Sequence, residues 1–248
     1  LRKLGATLGG MAVSNCLELW KGLGLDPLTI LGKEKIVEKV WLTKEGHKRR
    51  QRKEVVSPAR HRHETLATEC YHGGRNETYF FGPSPKSVFT DFDLSGAYST
   101  AMVAIGIPDW DSAYVSCDIN DFVPSALGLA EITFRFPDDT RFPCLPVRTG
   151  NGLIFPLEGH THVGSPEIFL ALRMGAMVEI LHGVVVPWKS GDERPFERFV
   201  SHVNAKRKSH EKGSIEERMW KEIGNSLYGK LAQGLHQKRV FDTRSSEM

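Results

Sequence analysis

Two polar clusters, far apart in the chain, carry the side chains with catalytic or binding potential. In the first, Lys221, Asn225 and Tyr228 are spaced at i, i+4 and i+7, so on a helix all three project from one face. That face would present a cation, an amide and a phenol to a polar ligand. The second, apolar stripe of the helix consists of Trp220, Ile223, Leu227 and Leu231. Alone, the pattern also fits an ordinary amphipathic surface helix.

The second cluster begins with Asp91 and Asp93, which would lie on the same face of a strand. Two neighbouring carboxylates repel each other unless they are protonated or bridged by a cation. A hard divalent ion such as Mg²⁺, held by one or two carboxylates and substrate phosphates, is the natural partner. The alternative is an edge strand with both carboxylates in water. Tyr98 follows at the start of a predicted helix, which would place an aromatic ring about one helical turn from a carboxylate.

Local patterns predict the regular elements that would hold these residues. Aromatic and β-branched residues predict two strands with a turn over residues 79–94, and a short helix is predicted over 96–105. Two further strands are predicted over 129–136 and 178–186. One helix is predicted near residues 10–20. Another is predicted over 166–174, with Ser165 as its N-cap and Gly175 just past its end.

Residues 195–234 show the clearest helical organisation. Pro195 suits a first helical position, and an apolar stripe follows it, made of Phe196, Phe199, Val200 and Val203. Gly213 can end this helix, and Ser214 with Glu217 forms a capping-box signature that starts the next one. The prediction is a hairpin of two antiparallel helices. A basic cluster lies near the turn and consists of Lys206, Arg207, Lys208 and Lys212.

The composition limits the class of protein. With 248 residues, of which 40% are hydrophobic and 25% charged, the chain can bury a globular core. The net charge of +3 permits nucleic-acid binding without requiring it. Basic residues concentrate in 44–62, which predicts a loop or mobile arm that is either a solvated charged face or a nucleic-acid contact. Four dispersed cysteines favour a reducing compartment over a structural zinc site, and no apolar run predicts a membrane span.

Three motifs together resemble those of family B DNA polymerases. Asp93 and Tyr98, five positions apart, match the first palm motif, and residues 221–229 match the fingers motif. The Tyr-His-Gly-Gly of residues 71–74 is similar to the Y-x-G-G element that joins the exonuclease and polymerase regions. This element is especially developed in the protein-primed polymerases of phages and linear plasmids. The order and spacing of the motifs agree with the family over residues 65–235.

The resemblance implies an α+β fold. It would be a partial polymerase palm of antiparallel strands plus helices, with an insertion and a fingers subdomain formed by an antiparallel helix hairpin. The implied segments are a connector after a missing exonuclease domain (1–75), the first part of the palm with the metal-binding strand (76–107), an insertion resembling the terminal-protein region (108–190), the fingers hairpin (191–235) and a truncated return to the palm (236–248).

The resemblance also implies the site residues. The catalytic set is Asp93, Tyr98 and Lys221. The metal ligands are Asp93 and the carbonyl of Leu94, with Asp91 as the alternative carboxylate. The nucleotide-binding set is Leu94, Ser95, Gly96, Ala97, Tyr98, Lys208, Lys212, Lys221, Asn225 and Tyr228. The DNA-binding set is Tyr71, Gly73, Gly74, Ser226, Gly229 and Lys230.

Each motif has an implied role. Tyr98 would stack under the incoming sugar and exclude a ribose 2′-hydroxyl. Lys221 would meet the triphosphate, supported by one basic residue among Arg207, Lys208 and Lys212. Asn225 and Tyr228 would line the nascent base pair, and Gly229 would leave room for the template base. The Y-x-G-G element would contact the template backbone through its amides and a stacking ring.

The implied function is DNA-directed DNA polymerisation, the template-directed transfer of dNTPs on a DNA template-primer. Two Mg²⁺ or Mn²⁺ ions are expected in the complete enzyme. A terminal protein primer is a further implied partner, and no membrane partner is implied. The implied location is the cytoplasm of a bacterial host, with a mitochondrial plasmid as the alternative. The family's third palm motif, Y-x-D-T-D, and its thumb have no match, so we expect a fragment that is inactive by itself.

The palm motif departs from the family's D-x-x-S-L-Y-P, because Gly96, Ala97 and Ser99 take the Ser, Leu and Pro positions. This departure is consistent with a divergent mobile-element lineage that is primer-independent. Two other functions stay open from the sequence. One is a non-catalytic nucleic-acid-binding relic of a polymerase scaffold, and the other is a metal- or phosphate-dependent hydrolase that uses Asp91 and Asp93.

Overall fold

The computed structural model describes residues 7–41, 48–94, 96–189 and 193–231, which form helices and antiparallel sheets. The helices are α1 (Leu8–Gly22), α2 (Pro27–Ile30), α3 (Pro58–His61), α4 (Glu64–Cys70), α5 (Ala97–Val103), α6 (Ser165–Arg173), α7 (Glu197–Lys208) and α8 (Ile215–Leu231). The strands are β1 (Lys33–Trp41), β2 (Lys48–Val56), β3 (Tyr114–Val115), β4 (Leu127–Arg135), β5 (Val147–Thr149), β6 (Gly152–Ile154), β7 (Glu158–Gly164) and β8 (Met177–Val186). The predicted α+β fold class is confirmed.

The chain divides into two compact units. The helical unit comprises the described parts of Leu1–Gly24, Ser95–Ile105 and Arg194–Met248, and the sheet unit those of Leu25–Leu94 and Gly106–Glu193. The predicted segment boundaries stay predictions. Two predicted features lie outside the described residues, namely Ser95 and the return to the palm at 236–248.

In the helical unit, α1, α5, α7 and α8 pack against one another. The α7–α8 hairpin was predicted, and it brings Phe199 and Val203 together with Ile223 and Leu227, all of which are buried. The two helices approach closely, because a Cβ added to Gly224 would lie 3.1 Å from a methyl group of Val203. The predicted helix near residues 10–20 is α1, and its packing on α7 and α8 buries one face of that hairpin.

Trp20 of α1 fastens the entry to α7. Its indole Nε1 donates a buried hydrogen bond of 2.5 Å to the carbonyl of Pro195, and its ring meets Phe196 edge-on at 5.4 Å. Pro195 therefore does not begin α7 as predicted. The helix begins at Glu197 with Phe196 as its N-cap. Pro195 lies before the helix, where its carbonyl accepts the hydrogen bond from Trp20 of α1.

In the sheet unit, four antiparallel strands lie in the order β3-β8-β4-β7. Alternate residues of β4 are buried, as the predicted period of two requires, and Ile132 and Phe134 pack there against Val163, Ile168 and their neighbours. Strands β4 and β8 and helix α6 confirm three predicted elements. Ser165 was wrongly predicted as the N-cap of α6. Gly164 has the extended N-cap backbone, and Ser165 is the fully buried first residue of the helix.

Two predictions about the sheet unit are wrong. Residues 79–94 contain no strand, although their composition favours one. Strand propensity measures the fit of a side chain to a pleated, half-buried surface. That surface is absent among the described residues, because Phe81, Val88 and Phe92 are almost entirely exposed.

Residues 44–62 do not form a loop over most of their length. Residues 48–56 are strand β2, which pairs with β1 in a continuous antiparallel register from Lys33 opposite Val56 to Trp41 opposite Lys48. Charged residues on both faces hide the apolar alternation that usually predicts a strand. The backbone N–H and C=O groups of the two strands nevertheless pair with each other, and the segment forms a β-ribbon.

Candidate nucleotide-binding site

Helix α8 presents the predicted polar face. Lys221 and Asn225 are exposed and Tyr228 is half-buried, while Ile223 and Leu227 on the opposite side are buried. The apolar stripe is shorter than the sequence predicts, because Trp220 is half-buried and Leu231 is 39% exposed. The helix therefore fixes the directions of Lys221, Asn225 and Tyr228 through its buried side, while Lys221 and Asn225 stay exposed to a ligand.

Tyr98 of α5 stacks on Tyr228 of α8. The ring centroids lie 4.2 Å apart and the ring planes differ by 3°. Residues of the palm motif and the fingers motif are thus in direct contact within the helical unit. Tyr98 keeps 54% of its surface exposed, so one side of the ring is supported and the rest is available. The motifs individually predict both tyrosines, but nothing in the sequence indicates that the rings touch.

Gly96 starts the helix that carries Tyr98. Its φ of 68° lies in the left-handed region, where glycine avoids the clash of a Cβ. Ala97 is the first residue of α5, and the backbone N–H of Thr100 donates to the Gly96 carbonyl. A serine, which the family motif has at this position, would be strained in this conformation. The departure from the family motif at Gly96 therefore matches a local backbone requirement.

The basic residues near the hairpin turn differ in their surroundings. Arg207 donates from Nε to Glu217 at 2.8 Å, and this hydrogen bond is the main reason why the pKa of Glu217 is lowered. Glu217 also accepts from the Gly213 amide, and its own N–H donates to Ser214 Oγ at 3.1 Å. Only the serine half of the predicted capping box forms, because the Ser214 N–H donates to the Glu211 carbonyl. Glu217 also makes a cross-helix ion pair, which the sequence did not reveal. Of the predicted triphosphate contacts, Lys208 and Lys212 are exposed.

The predicted DNA-binding residues of α8 follow the polar face toward its end. Ser226 is half-buried, whereas Gly229 and Lys230 are exposed. A Cβ added to Gly229 would meet no atom within 4 Å, so open space surrounds this position. Lys230 lies beside α1, since a Cβ added to Gly9 would be 3.6 Å from the Lys230 side chain.

Asp91, Asp93 and Leu94 are exposed residues on irregular backbone at the end of a sheet-unit segment. Two carboxylates and a main-chain carbonyl are oxygen donors of the kind that Mg²⁺ prefers. Within the described ranges, no three His, Cys, Asp or Glu side chains are grouped to hold a metal ion. The donor set therefore fits a divalent cation that takes its remaining ligands from elsewhere.

The Y-x-G-G element belongs to the sheet unit and is held there through its backbone. The carbonyl of Tyr71 accepts a hydrogen bond of 2.7 Å from Arg148, and Tyr71 is 36% exposed. Gly73 and Gly74 are exposed, and a Cβ added to Gly73 would meet nothing within 4 Å. The arrangement leaves these glycines accessible to a large ligand.

His72, the variable residue of this element, is its strongest anchor. Nε2 lies 2.6 Å from Glu167 Oε1, and Nδ1 lies 2.9 Å from the carbonyl of Gly73. The hydrogen bond with Glu167 is the main reason why the pKa of His72 is raised, against the opposing effect of burial. Protonation lets both ring nitrogens donate. The contacts of His72 with Glu167 and of Arg148 with Tyr71 have no signal in the sequence, because they join residues that are distant in the chain.

Comparisons with known proteins identify the family of this chain. A family model described as "DNA polymerase type B, organellar and viral" matches residues 43–248. Over 249 residues the chain is 42% identical to "Primer-independent DNA polymerase PolB" of Escherichia coli, a match that covers 97% of this chain and 29% of that protein.

Two solved structures share the fold at 14% sequence identity. They are "Phi29 DNA polymerase complexed with primer-template DNA (post-translocation binary complex)", with a TM-score of 0.57, and "Phi29 DNA polymerase complexed with single-stranded DNA", with a TM-score of 0.53. Each match covers 92% of this chain and 36% of that one. None of the helices in the described part of the chain has the length and apolar character needed to cross a membrane.

Proposed function

Because the chain belongs to the organellar and viral family of type B DNA polymerases, we propose that it forms the nucleotide-gripping part of a DNA-directed DNA polymerase. The observation that carries this proposal is the exposed face of α8, where Lys221 and Asn225 lie along the helix from a Tyr228 ring stacked on Tyr98. A cation and two aromatic rings suit a ligand with phosphates at one end and a sugar and base at the other.

Lys221 is the residue that meets the triphosphate. Its point charge lies one turn of α8 from Glu217, which is neutralised by Arg207, so Lys221 is not the main partner of that carboxylate. The exposed side chains of Lys208 and Lys212 add positive charge for the phosphates. Arg207 stabilises the hairpin through its ion pair and is the weakest of the three candidates for a direct phosphate contact.

The stacked rings select the nucleotide. Tyr228 and Asn225 line the nascent base pair, and Tyr98, supported on one side by Tyr228, meets the sugar. A ring held in this way has little freedom to move aside for a 2′-hydroxyl, so the stack favours deoxyribonucleotides. Leu94, Ser95, Gly96 and Ala97 supply backbone groups for the phosphates in this proposal.

Asp93 holds a divalent cation together with the carbonyl of Leu94, and Asp91 is the alternative carboxylate. A bound Mg²⁺ or Mn²⁺ would stabilise charge on the attacking and leaving oxygens, and two ions are expected in the complete enzyme. The chain itself supplies the exposed carboxylates of Asp91 and Asp93, which precede the left-handed Gly96 in the sequence by a few residues.

The template strand is the proposed partner of Tyr71, Gly73 and Gly74 through the exposed glycine amides and the phenol ring. Ser226, Gly229 and Lys230 continue the DNA contact at the end of α8. The name of the Escherichia coli relative describes a primer-independent enzyme, and we extend that property to this chain in preference to priming by a terminal protein. The proposed location is the cytoplasm of a bacterial host.

Nucleotide binding by the 248-residue chain tests the proposal directly. Isothermal titration calorimetry with dATP and Mg²⁺ should show binding that Lys221→Ala weakens about tenfold, the lower end expected for losing a hydrogen bond to a charged group. Lys206→Ala is the matched control, because it removes an exposed lysine from α7 of the same hairpin. Binding of a labelled single-stranded DNA should be nearly unchanged by Lys221→Ala.

Activity can be tested in a chimera. This chain would replace the matching segment of the Escherichia coli polymerase, with and without Lys221→Ala, and dNTP incorporation would be measured with and without a primer. Loss of incorporation with normal DNA binding supports the proposed grip. An unchanged nucleotide affinity, or a loss confined to DNA binding, would remove Lys221 from the nucleotide site.

A further inference from the structure

The β1–β2 ribbon has two faces of different charge. Residues directly opposite each other in an antiparallel pair share a face, and successive residues alternate between faces. One face, the basic face, carries Lys33, Lys35, Arg50 and Arg52, with Glu54 as its acid. The other, the mixed face, carries Glu34, Glu38 and Lys53. Among the ribbon side chains that the structure describes, four cations and one carboxylate thus lie on one side, and one cation and two carboxylates lie on the other.

The charges of the mixed face compensate one another. Lys53 Nζ lies 3.7 Å from Glu38 Oε1 across the strands, and both side chains are about half exposed. On the basic face, Lys35 lies opposite Glu54, but Arg52 lies opposite Val37, which is 61% exposed. Arg50 and Arg52 are themselves exposed and two positions apart on one strand. Like charges on the same face of a sheet repel each other, so this arrangement is stabilised when an anion binds.

The base of the ribbon is firmly attached to the sheet unit. Gly32 precedes β1 with a φ of 57°, and a Cβ there would lie 2.9 Å from both Arg60 and Trp110. Arg60 donates to the carbonyl of Leu31 at 2.6 Å, and Trp110 donates to the carbonyl of Thr29 at 3.2 Å. The anchored base gives the basic face a fixed orientation on this unit.

We propose that the basic face of the β1–β2 ribbon binds the phosphate backbone of DNA outside the nucleotide and template residues described above. A row of cations at intervals of two residues, beside an exposed valine, suits an extended polyanion better than a small ligand. The contact is independent of base sequence, because phosphates carry no sequence information. The inference rests on the proposed function only in naming DNA as the polyanion.

Salt-dependent DNA binding tests the inference, with fluorescence anisotropy of a labelled single strand and a labelled duplex. Arg52→Gln should lower affinity several-fold and reduce the slope of log K against log salt by about 0.7 on the single strand and about 0.9 on the duplex. The stronger effect identifies which form of DNA the face binds. Arg50→Gln combined with Arg52→Gln should roughly double the change in slope.

Lys53→Gln is the matched control. Lys53 is the next residue in the chain, it carries the same charge, and it lies on the mixed face. The slope should stay unchanged in this variant, and Arg52→Lys should retain most of the affinity. Far-UV circular dichroism checks that each variant is folded. Equal losses for Arg52→Gln and Lys53→Gln would show a response to net charge alone and would overturn the inference.

Two further measurements separate the possible failures. Binding of dATP should not change in Arg52→Gln. If the proposed contact of the ribbon with DNA is wrong, the effect of Lys221→Ala on dATP binding is still expected, and if the proposed role of Lys221 is wrong, the effect of Arg52→Gln on DNA binding is still expected. Vesicles containing phosphatidylserine should show no binding that depends on Arg52. Arg52-dependent binding to vesicles with normal DNA affinity would assign the face to a membrane surface and refute the DNA contact.

Discussion

Replacing Gly229 by alanine separates the structural role of α8 from its proposed contact with DNA. Gly229 lies in a helix, its φ is not positive, and a Cβ there would meet no atom within 4 Å. Alanine in an exposed helix interior is favoured over glycine by about 0.8–1.0 kcal/mol. The position lies in the last described turn of α8, so we expect the free energy of unfolding to rise by about 0.5–1 kcal/mol.

Gly224→Ala provides the comparison within the same helix. The new Cβ would lie 3.1 Å from a methyl group of Val203, so α7 or its side chain must shift by a few tenths of an ångström. That shift offsets the helix-propensity gain, and we expect little or no stabilisation. The two substitutions are chemically identical, so the difference between them reports mainly the packing against Val203.

Urea denaturation followed by far-UV circular dichroism measures both variants against the unmodified chain. A gain of about 1 kcal/mol corresponds to a rise in melting temperature of about 2–4 °C for a protein of this size. Template binding, measured by anisotropy, should weaken in Gly229→Ala if the open space serves a template base. A loss of stability in Gly229→Ala would contradict the open space around Gly229, and an equal gain in Gly224→Ala would contradict the close packing of Gly224 on Val203.

Two further predictions concern buried and half-buried contacts. The hydrogen bond with Glu167 raises the pKa of His72, so this contact contributes its full stabilisation below the ordinary pKa of 6.5 and loses it as pH rises through the raised value. Urea denaturation at about pH 6 and about pH 9 should show this loss of stability. The Glu167→Gln variant should show a smaller loss. Trp20→Phe leaves the Pro195 carbonyl without its buried donor and should lower the free energy of unfolding by about 1–3 kcal/mol, whereas a loss below about 0.5 kcal/mol in the same assay would contradict a buried hydrogen bond.

The sequence predicted the elements whose signals are local. The α7–α8 hairpin has a helical apolar period and a serine cap at Ser214, both of which act within a few residues. Strand β4 alternates buried and half-buried residues, which is the signal of a sheet with one covered face. Both kinds of pattern depend on side chains that pack on the nearest part of the same unit.

The wrong predictions concern segments whose structure depends on a partner. Residues 79–94 have the composition of a strand, but they do not pair with any described strand and therefore stay irregular. The β1–β2 ribbon has the reverse problem, because its partner lies next to it in sequence but its charged side chains hide the pattern. Backbone pairing, which a sequence shows only indirectly, decided both cases.

The candidate site was predictable as a set of residues but not as a set of contacts. The spacing of Lys221, Asn225 and Tyr228 requires only helical geometry, which α8 provides. The Arg207–Glu217 pair joins two helices through a contact that single-sequence patterns do not specify. The same holds for His72 and Glu167, which are brought together by the packing of α6 on the sheet.

The stack of Tyr98 on Tyr228 couples two motifs that lie about 130 positions apart, so mutations in one motif affect the other. A change at either ring removes a supporting surface from the other, so effects of the two substitutions will not simply add. An engineer who replaces Tyr98 therefore also alters the surroundings of Tyr228. Selection acting on Tyr228 would in the same way constrain which residue can follow Gly96 and Ala97 in the chain.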